Sequence, residues 1–314
     1  MVGPPGWRDG PALPGPRSDL IVAWDEPRDR LVVAAGGIGP REPIAESLVL
    51  DLARDTWSTA APLEHPRSGA AGTVAGPYLL VIGGLKPSLA TSDLVQALHL
   101  PSLRWQAFPS LPRPLAWSRA VSVGPEVHLV GGWTVLGPER EMAVDAHYVL
   151  SVGPEGAKGT WREAPPLPQP TFGGLLFHRD EELLWVGGST RMGWPAPTAP
   201  SLYLMSVTPN VWAFDLDSER WNSRPALSTG CRMAVGVSSG SVVGQLGGLD
   251  GRPEALSSTS WLGPDGSWRE GPGLPATRHH AAGVLVGEEF WVMGGDLRPT
   301  PPPTWRIPVS DLVG

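Results

Sequence analysis

The chain has 314 residues, room for one large domain or two smaller ones, and its 40 Gly and 37 Pro lie far above ordinary usage. Fifteen Trp and a hydrophobic fraction of 41% supply ample core material, so the Gly and Pro mark frequent turns and not disorder. Twenty-four basic and 31 acidic residues leave a net charge of −7 with no basic run, which argues against nucleic acid and membrane as partners.

The N-terminal MVGPPGWRDG has neither the basic nor the apolar region of a signal peptide, and no apolar run reaches the ~18 to 20 residues that span a bilayer. The single Cys231 leaves no internal disulfide, which fits a cytoplasmic location; a large exported protein could also lack one.

Taken in order, the chain repeats one pattern. Trp7 is followed six residues later by Leu13 in a Pro-rich turn, and the pair recurs as Trp57/Leu63, Trp105/Leu111, Trp161/Leu167, Trp221/Leu227 and Trp268/Leu274. Four residues beyond each Leu stands a fixed position, occupied by Arg17, Arg67, Leu115, Thr171, Cys231 and Arg278. An apolar run then ends in a glycine pair: Gly36-Gly37, Gly83-Gly84, Gly131-Gly132, Gly187-Gly188, Gly247-Gly248 and Gly294-Gly295. The pairs are separated by 47, 48, 56, 60 and 47 residues, a period that belongs to propellers and arrays.

Each repeat predicts four short strands bounded by Gly and Pro, with no sustained helical stripe. The first is small and apolar, as over 68–74 and 280–286. The second is bulkier and runs into the glycine pair, as over 78–82. The third alternates, as over 211–215, and the fourth is centred on the repeat tryptophan. A last third strand over 304–309 has no repeat tryptophan after it, whereas Trp7 precedes any first strand. The N-terminal strand is therefore expected to complete the last blade and close a ring.

The six glycine pairs, the six repeat tryptophans and the arginines Arg17, Arg67 and Arg278 resemble the kelch-repeat family over essentially the whole chain. The resemblance implies an all-β, six-bladed β-propeller over residues 1–314 as a single domain. The chain departs from the family pattern where Val49, Leu98 and Phe214 replace its tyrosine, and where Leu115, Thr171 and Cys231 replace its arginine.

In such a ring the turns entering the inner strands and the loops after the glycine pairs open on one face, where family members bind partners. Arg17, Arg67 and Arg278 would fall on three neighbouring blades and give one cationic half of the rim, suited to carboxylate or phosphate. The alternative is that they bond loop carbonyls and hold the blades together. The long loops of the third and fourth repeats are expected to bring Trp133, Arg191, Met192 and Trp194 opposite the arginines, with His280 nearby. These residues describe a binding module for a protein segment or a small anionic ligand, expected as a monomer with no cofactor or metal. The alternative is a metal-independent enzyme acting on an anionic small molecule, resembling a kelch-type sialic-acid mutarotase. Its acid/base candidates are Glu141, Asp250, Asp296 and His280. His279 and His280 are expected on opposite sides of a strand, which would prevent joint chelation.

Overall fold

Runs of four or five apolar residues are too short to bury a helix face, but they fit strands that pair with their sequence neighbours. In the computed structural model, which describes residues 6–135, 141–191, 206–240, 242–252, 254–295 and 302–312, they form six four-stranded antiparallel sheets. The first blade runs Ile21–Asp25, Arg30–Ala34, Ser47–Asp51 and Thr56–Ala60. The inner strands of neighbouring blades pack on one another around a central axis. The sixth blade is Ala282–Val286, Glu289–Met293 and Thr304–Pro308, and its fourth strand is the N-terminal Arg8–Gly10. The register is Arg8↔Arg306, Asp9↔Trp305 and Gly10↔Thr304, so the ring closes as the sequence predicts.

The second strand of each blade is enclosed on both faces. Leu31, Leu79, Leu80, Leu129, Leu183 and Phe290 are fully buried, each worth roughly 1.5–3 kcal/mol in burial. The repeat leucines Leu13, Leu63, Leu111, Leu167, Leu227 and Leu274 are buried as well. The repeat tryptophans fasten blade to blade: Nε1 of Trp105, Trp161 and Trp221 donates to the carbonyls of Ala61, Pro109 and Pro165 in the preceding repeat, at 2.8–2.9 Å.

The inner strands begin later than the sequence predicts, at Ala71 and Ala282 and not at residues 68 and 280. The intervening residues form a turn that passes through the left-handed region at Gly69 and His280, where a strand ladder cannot continue.

A backbone bond recurs at every blade seam. The carbonyls of Leu115, Thr171, Cys231, Arg278 and Arg17 accept the N–H of Gly84, Gly132, Gly188, Gly248 and Gly295 of the preceding blade at 2.7–2.8 Å. At the first seam Gly36 donates to the Arg67 carbonyl at 3.1 Å. A Cβ on Gly83, Gly131, Gly187, Gly247 or Gly294 would stand 2.3–2.6 Å from the same carbonyl. In the second to sixth blades the glycine pair thus meets both a positive φ and a close approach of the next blade; in the first blade the left-handed residues are Ala35 (φ 54°) and Gly36 (φ 82°), so the first of the two positions there carries a Cβ.

Candidate functional site at the axial mouth

Two residues beyond the fixed position, the chain of every blade turns through the left-handed region at the axis. The six residues are Asp19, Gly69, Trp117, Gly173, Met233 and His280, with φ between 51° and 64°. Their main chains hold hands around the axis: Asp19 N–H donates to His280 O, His280 to Met233, Met233 to Gly173, Gly173 to Trp117 and Trp117 to Gly69, at 2.7–2.9 Å. The two glycines make room for their larger neighbours. A Cβ on Gly69 would lie 2.7 Å from the Trp117 indole nitrogen, and one on Gly173 would lie 2.6 Å from the Met233 methyl. Glycine adopts this conformation without strain, whereas Trp and Met hold it at a cost of about 1 kcal/mol or more each.

Below this collar lies an axial cavity of about 290 Å³. Most of its lining residues are apolar by type, among them Ile21, Leu175, Phe177 and Val284. Its ionisable side chains are Asp19, Arg119 and His280. Arg119 begins the inner strand of the third blade and reaches across to the fifth, with Nη2 4.0 Å from the Met233 sulfur and Nη1 3.2 Å from the Ser118 carbonyl. Burial pushes the Asp19 carboxyl up to about 6, with Arg119, His279 and the Trp117 indole opposing the rise. Burial also holds Arg119 below the ordinary guanidinium value, with Asp19 pulling it back. Over the collar Trp117 packs against Trp133 and Phe172, at ring separations of 5.3 and 5.9 Å.

The expected cationic rim is not built from the three family-type arginines. All three are withdrawn into their blades, at 1–3% exposure. Arg67 donates Nε to Gly83 O at 2.6 Å, Nη1 to His65 O and Gln96 Oε1 at 2.9 and 2.8 Å, and Nη2 to Val81 O at 3.2 Å. Arg17 donates to the Glu46 carbonyl at 3.0 Å and meets its carboxylate at 3.5 Å. Arg278 donates to Gly294 O at 3.0 Å and lies 4.0 Å from the Trp305 ring. These are the carbonyl-bonding arginines of the structural alternative.

Trp133 is also interior, at 2% exposure, as part of the apolar cap over the collar. Arg191 is exposed at the end of the hairpin strand Ser189–Arg191. Met192, Trp194 and Asp296 lie outside the described residues. Glu141 opens the short strand Glu141–Ala143. Asp250 is engaged by Arg252, whose Nε donates to it at 2.7 Å. His280 does reach the axial cavity. His279 and His280 do not alternate across a strand; the left-handed turn brings their rings together in an edge-to-face contact at 4.8 Å.

Asp19, Arg119 and Met233 were not among the binding residues expected from sequence. A signal existed for Arg119: it occupies a position that carries Ile21, Ala71, Leu175, Val235 and Ala282 in the other repeats, so it is the one charge in an apolar column.

No protein-family model matches the chain. Kelch-like protein 25 of Xenopus tropicalis is 24% identical over 236 residues, covering 74% of this chain and 37% of the relative. The human Kelch-like protein 25 is 24% identical over 250 residues, covering 79% and 38%. The chain therefore spans well under half the length of these curated relatives. The solved structure of YjhT superposes with a TM-score of 0.71 over 95% of each chain at 16% identity, a likeness of fold.

Proposed function

Starting from a chain that is a kelch-repeat β-propeller, we propose that it is a binding module whose ligand is a small molecule carrying an acidic group, received at the axial mouth. Arg119 supplies the cation, Asp19 and His280 the polar partners, and Trp117 and Met233 the apolar contact. The carrying observation is Arg119 itself, a cationic side chain at an axial cavity most of whose lining residues are apolar by type. A guanidinium in such a place interacts far more strongly with an incoming carboxylate than one in open water. The strained Trp117 and Met233 support the same reading, because non-glycine residues kept in the left-handed region concentrate at ligand sites.

The test is a thermal-shift and calorimetric screen of sugar acids and dicarboxylates against the wild type, Arg119→Met and Asp19→Asn. Binding lost in Arg119→Met, with its unliganded melting temperature retained, supports the reading. A ligand that binds both proteins equally overturns it, and a partner captured only as an acidic peptide moves the function to the protein-segment alternative.

One observation favours a second reading, acid–base chemistry on the bound anion. Asp19 is pushed up to about 6 beside Arg119, His279 and His280, which suits proton transfer near neutral pH. Interconversion of sugar-acid anomers, followed by NMR, would be accelerated by the wild type and not by Asp19→Asn. An equal rate for the two proteins leaves the binding reading alone in place.

A further inference from the structure

Among the buried arginines of the described residues, Arg232 stands apart. Arg17 has Glu46, Arg67 has three carbonyls and Gln96, and Arg278 has a carbonyl and an aromatic face. Arg232 is 8% exposed, yet its Nε is enclosed with no hydrogen-bond partner, and no carboxylate of the described residues pairs with its guanidinium. Its main chain is fully engaged, since N–H and C=O both pair with Leu249 at 2.9–3.0 Å. The unpaired enclosed atom is therefore Nε, while the terminal nitrogens are not enclosed. Burial holds its guanidinium down at about 10 with no neighbouring charge to oppose it, unlike Arg67, where Asp93 opposes.

Its place in the repeat says which way it faces. Arg232 follows the fixed position, as do Ser18, Ser68, Ala116, Phe172 and His279 in the other blades. Ser18 and Ser68 bond through their hydroxyls to Gly37 O, in the first glycine pair, and to Pro40 O, just after it. Phe172 packs into the apolar cap. This position thus lies beneath the segments that follow the glycine pairs, on the loop-bearing side of the blade. A buried, uncompensated charge is expensive to keep, and a protein without use for it would carry an apolar residue there, as the third and fourth blades do.

We propose that Arg232 is the receptor for an oxyanion, the carboxylate or phosphate group of a small ligand bound on the loop-bearing face at the turn into the fifth blade. The inference does not rest on the axial reading, which concerns Arg119.

The experiment compares wild type, Arg232→Met and Arg232→Lys by thermal unfolding in sodium phosphate, in sodium citrate and in sodium chloride of matched ionic strength. In chloride, Arg232→Met is expected to melt about 2 °C or more above the wild type, because it removes a buried charge that nothing balances. Phosphate or citrate is expected to raise the wild-type midpoint by about 2 °C or more over chloride and to leave Arg232→Met unmoved. Arg232→Lys should melt like the wild type in chloride and lose most of the oxyanion response, since an ammonium cannot form the two-pronged contact. A response to phosphate alone or to citrate alone assigns the class of anion. The proposal fails if Arg232→Met melts below the wild type in chloride, if the oxyanions shift both proteins alike, or if they shift neither. None of these outcomes depends on whether Arg119→Met loses the axial ligand.

Discussion

The carbonyl oxygen of Arg17 accepts the N–H of Gly295 at 2.8 Å, across the seam where the first and sixth blades meet. The same bond joins every pair of neighbouring blades, whether the acceptor residue is Arg, Leu, Thr or Cys. What the repeat preserves at the fixed position is therefore a carbonyl, and the side chain is free to vary. Gly294→Ala is expected to destabilise the protein by about 2 kcal/mol or more, since its Cβ would press to 2.6 Å from the Arg17 oxygen in a left-handed conformation. Urea denaturation measures it; a loss under about 0.5 kcal/mol would show that the seam can relax.

Arg67→Met should be more damaging than Arg17→Met. It strands the carbonyls of Gly83, Val81 and His65 and the amide of Gln96 inside the second blade, at a cost of about 3 kcal/mol. Arg17 leaves behind one carbonyl and the half-exposed Glu46. Equal unfolding midpoints for the two variants would contradict this ranking. Neither change should alter ligand affinity at the axial mouth.

His128 and His147 form a buried pair between the third and fourth blades. His147 Nδ1 lies 3.1 Å from the Pro165 carbonyl, so it is the donor there, and its Nε2 accepts from His128 Nδ1 at 3.0 Å. Burial holds His128 down to about 4 and His147 down to about 3. In the unfolded chain both would titrate near ~6.5, so as pH falls below that value the unfolded state takes up protons first. Stability present above about pH 6.5 is lost as pH falls toward 3–4. Replacing both with Phe should flatten that limb of the stability–pH curve; a limb of unchanged steepness would exclude the pair as its cause.

Asp19 acts with the opposite sign. Its folded-state value is raised to about 6, so the folded protein binds the extra proton and stability declines as pH rises from about 4 to 6. Asp19→Asn is expected to gain on the wild type through that interval and to hold the gain above it. Affinity of the wild type for an anionic ligand should rise as pH falls through about 6, because the protonated carboxyl no longer repels it. A pH-independent dissociation constant would remove Asp19 from the site.

Cys231 should resist thiol reagents in the folded state. It is 2% exposed and burial pushes its thiol up to about 12, which leaves almost no thiolate at neutral pH. Labelling that proceeds at the rate of global unfolding fits this; fast labelling would reveal local opening of the fifth blade.

The propeller was legible because its marks are one-dimensional. Glycine pairs, repeat tryptophans and buried leucines sit at fixed offsets, and each offset is a strand or turn length. The site was less so. Arg17, Arg67 and Arg278 read as a cationic rim because sequence reports charge without direction, and only the fold shows their guanidinium groups turned back onto the carbonyls of their own blades. Asp19, Trp117 and Met233 share a position two residues beyond the fixed one, but nothing in their types announces a left-handed turn. Their meeting at the axis depends on six segments dispersed along the chain. Arg119 and Arg232 could have been singled out by aligning the repeats against one another and asking which column is interrupted by a charge.

The pairing of Arg8–Gly10 with Thr304–Pro308 has a consequence for how the protein comes into being. During synthesis the first strand emerges with nothing to pair with, and its partner is made almost a whole chain later. Five blades can be assembled from hairpins as they appear, but the sixth waits until Thr304–Pro308 has been made. Joining ends so far apart carries the largest loop-closure penalty in the molecule, so ring closure is expected to be the slow step of folding. Until it occurs, the strand Thr304–Pro308 presents a bare edge on which a neighbouring nascent chain could settle.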